Sequence, residues 1–167
     1  YGVLVGKKPL IFTNNDSGYE TAIEFKKNGV EPIILDTRKE PKSEIINEAK
    51  NLDIQIKFSY VVVAAKGYKK VNAAEIAKIS DNKNDLGVLE NINCDCICVS
   101  GFWTPTIHLA SQSGNKTKFD KDIDAFVPGI SKQNETTLGA ANGTFTLEET
   151  LKNSFEAGYE LSKKITK

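Results

Sequence analysis

The most constraining feature of this chain is the order of apolar and polar segments within residues 9–36. A short apolar run at residues 9–12 leads into a polar turn at 13–18 and a helical pattern, and a second apolar run at 30–35 ends in Asp36. This order is the βαβ layout of folds that bind dinucleotides. In such folds a G-x-G-x-x-G turn approaches the pyrophosphate, and an acid after the second strand accepts hydrogen bonds from the ribose hydroxyls.

The turn at residues 13–18 keeps only one of the three glycines of that motif. Gly18 stands at the third position, where glycine lets the helix pack closely against the strand. Asn15 stands at the second position, where a phosphate would need bare backbone. The pattern therefore supports the fold more strongly than it supports a bound nucleotide.

Four polar residues around this turn are candidates for contact with a nucleotide: Asn15, Asp16, Ser17 and Asp36. Asp16 and Ser17 also belong to the residue types that cap helices well, and the carboxylate of Asp16 would repel a phosphate beside it. We favour capping over ligand contact for this group. Arg38 suits a 2′-phosphate, but a solvated loop arginine is the simpler interpretation.

The composition argues against two classes of partner. The chain of 167 residues carries 22 basic and 22 acidic side chains, so its charges cancel. Such a balance gives no electrostatic reason to expect nucleic acid or an anionic membrane surface as a partner. No apolar run approaches the roughly 18 residues that would predict a bilayer span.

Three cysteines alternate along one predicted strand, at Cys94, Cys96 and Cys98. Alternate residues of a strand share a face, so all three are expected to point the same way, about 6–7 Å apart along the chain. With His108 as the only histidine, we favour free thiols in a reducing cytoplasm over a metal site.

Residues 1–92 predict an α/β unit of the form βαβαβ followed by a β-meander. Helices are expected at residues 18–28 and 43–51, and a turn at 82–85. The predicted strands are residues 9–12, 30–35, 54–58, 60–65 and 71–79.

Residues 93–167 have a different organisation and are predicted to form a second domain. Thr146 and Glu149 form a capping box that starts a long amphipathic helix of about five turns. Before it we expect a strand at 94–100, a short helix at 107–111, an extended piece at 125–128 and a strand at 136–140.

Several segments are together similar to one family. They are residues 1–3, the turn at 12–17, the run V-S-G-F-W-T-P-T-I-H-L-A-S-Q at 99–112 and the run G-A-A-N-G-T-F at 139–145. On these segments the chain resembles the α subunits of heterotetrameric sarcosine oxidases, along its whole length.

The resemblance implies a particular domain organisation. Residues 1–92 would be a Rossmann-like NAD(P)-binding-type cassette, inserted into a first FAD/NAD(P)-binding-type domain whose C-terminal part is residues 93–167. The sequence would be a piece of a longer subunit, in keeping with its lack of methionine.

The resemblance also implies cofactors and partners. NAD would be the dinucleotide of this subunit, and FAD, FMN and tetrahydrofolate would belong to the complete complex, which oxidises sarcosine to glycine with oxygen. The other subunits of the tetramer would be its partners. No catalytic residue of the family falls within this chain, so none is assigned.

By the same resemblance, the run at residues 139–143 would meet the pyrophosphate of a dinucleotide held mainly by other parts of the subunit. A close-packed corner between a strand and a helix is an equally good interpretation. His108, without a nearby nucleophile or acid, is interpreted as a structural group. The five residues of the run are Gly139, Ala140, Ala141, Asn142 and Gly143.

Two alternatives stay open at this point. One is a free-standing NAD(P)H- or FAD-dependent reductase domain, and the other is a structural assembly module without nucleotide affinity. On the favoured interpretation, the lobe after residue 93 should expose apolar surface, and the chain could self-associate.

Overall fold

The computed structural model describes residues 3–80, 85–101 and 103–165. The chain divides into two compact units, residues 1–102 and 103–167. No helix in the described ranges is long and apolar enough to cross a bilayer.

Among the described residues, the first unit contains seven strands and two helices. Its elements are β1 (Pro9–Thr13), α1 (Ser17–Lys27), β2 (Ile33–Asp36), α2 (Glu44–Asn51), β3 (Gln55–Phe58), β4 (Tyr60–Gly67), β5 (Val71–Lys78), β6 (Glu90–Asn93) and β7 (Cys96–Ser100). The predicted βαβαβ order and the meander are therefore confirmed. Most of the predicted turn at residues 82–85 lies outside the described residues.

Two sheets form the framework of the first unit. Four parallel strands lie in the order β3-β2-β1-β7, and three antiparallel strands lie in the order β4-β5-β6. Ile11 and Ile34 pack against α1 and α2 in one apolar cluster, whereas Leu10 and Leu35 pack with residues of β5 in another. Since adjacent strand residues point to opposite faces, the helices cover one face of the parallel sheet and the meander covers the other.

The position of β7 moves the predicted domain boundary. The strand at residues 94–100 was assigned to the second domain, but β7 pairs in parallel with β1, from Pro9↔Cys96 to Thr13↔Ser100. The first unit therefore extends to residue 102 instead of 92. An apolar run alone does not reveal which sheet it joins, and this is the reason for the difference.

The three cysteines do not share one face. Cys94 packs with Leu10 and Leu35 on the meander side, whereas Cys98 packs against the cluster on the helix side. The chain turns at Asp95, whose carboxylate accepts hydrogen bonds from the backbone N–H groups of Lys7 and Lys8, both at 2.8 Å. Regular strand alternation begins only after this residue.

The second unit is smaller and less buried. Its elements are α3 (His108–Gln112), the hairpin of β8 (Thr117–Asp120) and β9 (Ala125–Pro128), a 3₁₀ helix (Gly139–Asn142) and α4 (Leu147–Ile165). One half of the predicted capping box of α4 is confirmed, because Thr146 Oγ1 accepts the N–H of Glu149 at 3.4 Å. The carboxylate of Glu149 accepts a hydrogen bond from the Thr146 hydroxyl, at 2.7 Å.

The second unit differs from the prediction at two places. Residues 136–140 were expected to form a strand, but Gly139 has φ +64° and begins the 3₁₀ helix. A strand cannot accommodate that backbone conformation. The strand β8 was missed because its sequence, T-K-F-D, is largely polar.

Candidate functional site

The candidate site of the first unit lies where β1 and β7 end. The chain leaves β1 through α1 on one face of the sheet, and it reaches β7 after crossing the meander on the other face. Connections that diverge in this way open a crevice at the carboxyl ends of the two strands, where ligands of open α/β sheets bind. We call the space between the turn at residues 13–18 and the end of β7 the switch-point crevice.

Asn15 fills the switch-point crevice with its own side chain. Its Nδ2 group donates to the carbonyl oxygens of Ser100, at 3.4 Å, and of Gly101. Its Oδ1 atom accepts hydrogen bonds from Ser17, at 3.0 Å from the backbone N–H and at 2.6 Å from the hydroxyl. The amide therefore joins the turn after β1 to the end of β7.

A second link between the same two segments runs through hydroxyl groups. Ser17 Oγ and Ser100 Oγ lie 2.6 Å apart. Because the Ser17 hydroxyl donates to Asn15, it is free to accept the proton of the Ser100 hydroxyl. Three side chains thus bridge the point at which a pyrophosphate would have to approach the backbone.

Gly18 performs the role predicted for the third glycine. A Cβ atom built on Gly18 would lie 2.6 Å from Cβ of Thr13, closer than two carbon atoms can approach. Thr13 is itself fixed, since its hydroxyl accepts the N–H of Asn15 at 3.2 Å and donates to the carbonyl of Asn15 at 2.9 Å. The helix packs on the strand here because residue 18 has no side chain.

The predicted capping of α1 by the side chains of Asp16 or Ser17 was wrong. Asp16 occupies the cap position but makes no capping hydrogen bond. Its carboxylate pairs instead with Arg38, at 2.9 Å from Nη2 to Oδ1. The side chain that accepts a first-turn N–H is Asn15, one residue earlier.

Asp36 is fully buried and its carboxylate is surrounded by donors. Tyr19 donates its hydroxyl to Oδ2 at 2.7 Å. Arg38 donates its backbone N–H to Oδ1 at 2.9 Å and its Nη2 group to Oδ2 at 2.8 Å. Burial, and next the hydrogen bond to Asp36, raise the pKa of the Tyr19 phenol well above its usual range. The acid predicted to accept ribose hydroxyls is therefore engaged within the fold.

The predicted residues of the first unit thus come together, in a network that sequence reasoning resolved only in part. Asn15, Asp16 and Ser17 surround the end of β1, and Arg38 links Asp16 to Asp36. Ser100 was not singled out. Its only signal was its position at the end of an apolar strand, inside the run on which the family resemblance depends.

The run at residues 139–143 lies in the second unit and has a different geometry. Both glycines have positive φ, +64° at Gly139 and +82° at Gly143. A Cβ on Gly143 would lie 2.7 Å from Ile123 Cδ1, so this glycine packs closely against its own unit. Ala140 and Asn142 are exposed, whereas Gly139 is buried.

The other candidates for chemistry lie apart from these two corners. His108 is exposed at the start of α3. Across the described ranges, no three metal-ligating side chains of the His, Cys, Asp or Glu type gather as an ion would need. The three cysteines are free thiols.

Comparison of the amino-acid sequence with known proteins finds relatives that share one name. No family model matches the chain. Sarcosine oxidase subunit alpha of Rhizobium meliloti (strain 1021) is 34% identical over 152 residues, which are 86% of this chain and 14% of that protein. The protein of the same name from Corynebacterium sp. (strain P-1) is 28% identical over 160 residues, 95% of this chain and 16% of its own length.

This chain is similar to a part of sarcosine oxidase subunit alpha. The predicted resemblance is confirmed over most of the sequence. The chain spans only 14–16% of the length of these sarcosine oxidase subunits.

Solved structures show the fold. Thioredoxin reductase of T. acidophilum matches with a TM-score of 0.57 at 16% identity, over 81% of this chain and 47% of that one. The bacillithiol disulfide reductase Bdr of Staphylococcus aureus matches with a TM-score of 0.60 at 15% identity, over 84% of this chain and 48% of that one. The flavoprotein disulfide reductase RclA of Escherichia coli matches with a TM-score of 0.61 at 14% identity, over 91% of this chain and 34% of that one. The predicted fold class, a Rossmann-like fold of the FAD/NAD(P)-binding type, is confirmed.

Proposed function

We propose that this chain is a dinucleotide-fold scaffold within the α subunit of an oxidoreductase of the sarcosine oxidase type. The complete assembly would demethylate sarcosine oxidatively, with oxygen and tetrahydrofolate, and would carry FAD and FMN. The chain would hold parts of the assembly in place and contribute no catalytic residue. Similarity to three sarcosine oxidase α subunits over 86–95% of the chain supports this proposal.

The scaffold role is supported by the observation that side chains fill the switch-point crevice. Asn15 donates across it to Ser100 and Gly101, and Ser17 contacts the Ser100 hydroxyl. A dinucleotide at this turn would have to displace three side chains that satisfy one another's hydrogen bonds. We therefore propose that the first unit keeps the architecture of a dinucleotide-binding domain for a structural purpose. Ligand contact by Asn15, Asp16, Ser17 and Asp36 stays a prediction.

For the second unit we propose that the run at residues 139–143 approaches the pyrophosphate of NAD. The exposure of Ala140 and the small size of Gly139, Ala140 and Ala141 support this, because small side chains let phosphate oxygens reach N–H groups. The rest of the nucleotide would be held by the remainder of the subunit. Residues 93–167 would, in this proposal, include the C-terminal part of an interrupted domain.

Contact with partner subunits is the third part of the proposal. Leu147, Leu151 and Phe155 lie along α4 and are 74%, 62% and 76% exposed. The apolar surface predicted after residue 93 is thus present. A stripe of this kind on a helix supports burial against another part of the assembly.

Calorimetric titration of the chain with NAD, NADP and FAD tests the nucleotide part. We expect no micromolar binding, and at most weak binding of NAD. Replacing exposed Ala140 with glutamate places a negative charge on the proposed pyrophosphate site, and we expect it to weaken NAD binding about tenfold or more, equivalent to about 1.4 kcal/mol.

Gln112→Glu is the matched control, because it adds the same charge at an exposed position of the second unit. It should leave NAD binding unchanged. Micromolar binding by the unchanged chain alone would favour a free-standing reductase domain and would contradict the proposal.

Coexpression with the β subunit of a sarcosine oxidase tests the assembly part. The complete α subunit that contains this chain should form a stable complex, and the exposed-face double variant L151S/F155S should weaken it without changing the helical circular dichroism. An α subunit that forms no complex would contradict the scaffold role. Concentration-dependent self-association of the chain, abolished by the same variant, would assign the stripe to a second copy instead.

A further inference from the structure

Two of the three free thiols lie side by side on β7. The Sγ atoms of Cys96 and Cys98 are 3.7 Å apart, and both side chains are half-buried. The two residues lie opposite Pro9 and Ile11 of β1, so the strand fixes both backbones. In the four-stranded sheet β7 is an edge strand, and neither side chain of the pair is fully buried.

The strand prevents this pair from closing as an unstrained disulfide. An S–S bond is about 2.05 Å long, so the two sulfur atoms, now 3.7 Å apart, would have to move closer together. Alternate residues of a strand have Cα atoms about 6–7 Å apart, at the upper limit that a disulfide spans. The parallel pairing with β1 resists the movement that would shorten this distance.

The same separation suits one atom that bonds to both sulfurs. An atom placed about 2.3 Å from each sulfur, the length of a typical zinc–thiolate bond, would subtend an S–X–S angle of about 107° across the 3.7 Å gap. That angle fits a tetrahedral or pyramidal centre. It does not fit a linear one, which would need the sulfurs about 4.6 Å apart at that bond length.

The number of ligands decides which centre fits. Within the described ranges no cluster of three His, Cys, Asp or Glu side chains is present, so a tetrahedral ion would lack two protein ligands. The neighbouring carboxylate of Asp95 is already occupied by the N–H groups of Lys7 and Lys8. A trivalent arsenic atom that carries one organic group needs only two sulfurs to complete its three bonds.

We propose that Cys96 and Cys98 form a dithiol site that chelates trivalent arsenicals of the form RAs(III). With phenylarsine oxide, two As–S bonds form and the oxygen leaves as water with both thiol protons. Arsenic stays trivalent and neither sulfur is oxidised, so no further reactant is needed. Softness favours the reaction, because thiolate sulfur prefers soft, polarisable partners.

The electrostatics of the pair suit such a reagent better than a simple alkylator. Burial, and next the hydrogen bond with Cys96, raise the pKa of the Cys98 thiol to about 11. This thiol therefore stays protonated at neutral pH, which slows reagents that need a thiolate. Arsenic capture consumes two neutral thiols and releases water.

Titration of the reduced chain with phenylarsine oxide, followed by intact-mass spectrometry, tests the proposal. We expect one phenylarsenic group per chain, removed by a small dithiol and retained in the same concentration of a monothiol. C96S and C98S should each weaken binding by about 10²–10⁴, the usual gain from joining two attachment points.

Cys94 supplies the matched control, since it lies in the apolar cluster on the meander side. C94S should bind phenylarsine oxide as the unchanged chain does. Unaltered binding in both C96S and C98S, or loss of binding only in C94S, would overturn the proposal.

A second measurement does not depend on the folding of any variant. The unchanged chain, treated with phenylarsine oxide, is alkylated under denaturing conditions and mapped by peptide mass. Protection of Cys96 and Cys98 with alkylation of Cys94 supports the site. Alkylation of either member of the pair contradicts it.

Discussion

Two corners of the chain lead into helices, residues 13–18 before α1 and residues 139–143 before α4, and they are built from different kinds of residue. Before α1, side chains fill the turn, and Asn15 supplies both a helix cap and a bridge to β7. Before α4, Gly139 and Gly143 adopt positive φ, and Ala140 and Asn142 are exposed. The comparison shows that the turn after β1 keeps its place in a βαβ unit with one glycine and with polar side chains that bridge it to β7. The run before α4 instead uses two glycines at positive φ.

The largest expected effect comes from removing the buried acid of the first corner. Asp36→Ala leaves Arg38 and the hydroxyl of Tyr19 without their main acceptor. We expect a loss of about 3 kcal/mol in the free energy of unfolding, the lower end for a broken buried ion pair, because Arg38 keeps Asp16 and is partly exposed. Urea denaturation measures this loss.

The surface pair of Lys26 and Glu31 is the control for that experiment. Removing Glu31 should cost less than about 1 kcal/mol, since Glu31 is largely exposed. Equal effects of the two substitutions would contradict a structural role for Asp36.

Gly18→Ala should have the next largest effect. The added Cβ would lie 2.6 Å from Thr13 Cβ, so α1 or β1 must shift. We expect a cost of about 1–3 kcal/mol, as for other overpacked sites, measured as a fall in the unfolding midpoint.

Gly158→Ala is the matched substitution in the other unit. No atom lies within 4 Å of the Cβ position at Gly158, which is inside α4. There alanine should stabilise by about 0.5–1 kcal/mol, because it loses less backbone entropy than glycine. A destabilising effect at 158, or a neutral one at 18, would contradict the close packing assigned to Gly18.

Alkaline pH should weaken the first unit through Tyr19. Its phenol has a raised pKa in the folded state, owing first to burial and then to the hydrogen bond with Asp36. The unfolded state therefore loses this proton first, and stability falls as the pH rises above about 10, the ordinary pKa of tyrosine. Below that pH the contribution is fully present.

Tyr19→Phe separates this effect from general alkaline unfolding. It removes the titrating group, so the slope of unfolding free energy against pH between about 10 and 11.5 should become shallower. Tyr159, exposed on α4, supplies the control variant, and Tyr159→Phe should leave the slope as it is. An unchanged slope in Tyr19→Phe would contradict the claim that the Tyr19 phenol causes the loss of stability at alkaline pH.

The smallest effect belongs to the cap of α4. Thr146→Ala removes the acceptor of the Glu149 N–H and one half of the capping box. We expect a loss of about 1 kcal/mol, which hydrogen exchange in the first turn of α4 would detect. A loss as large as that of Asp36→Ala would mean that the second unit depends on its cap far more than on packing.

The helices and strands of the first unit could be predicted because the spacing of apolar residues within each segment indicates its secondary structure. The apolar spacing of Tyr19, Ala22, Ile23 and Phe25 predicts the inner face of α1. The first three are buried, and Phe25 is partly buried against the same cluster. Gly18 was predicted correctly for the same reason, since its role depends only on its own turn.

Long-range relations were not available from the sequence. Asn15 and Ser100 are 85 residues apart, and no periodicity indicates that they meet. The pairing of β7 with β1, which brings them together, depends on a topological choice that an apolar run does not encode. Likewise the strand predicted at residues 136–140 failed because the backbone of Gly139 is left-handed.

Backbone amide NMR during titration with NAD tests the central claim most directly, because it reports on both corners in one sample. The account predicts shifts confined to residues 139–143 and their neighbours, with the amides of residues 13–18 and of Ser100 unchanged at the highest NAD concentration. Saturable shifts at Asn15, Ser17 and Gly18 would contradict it, because NAD would then occupy the crevice that these side chains fill.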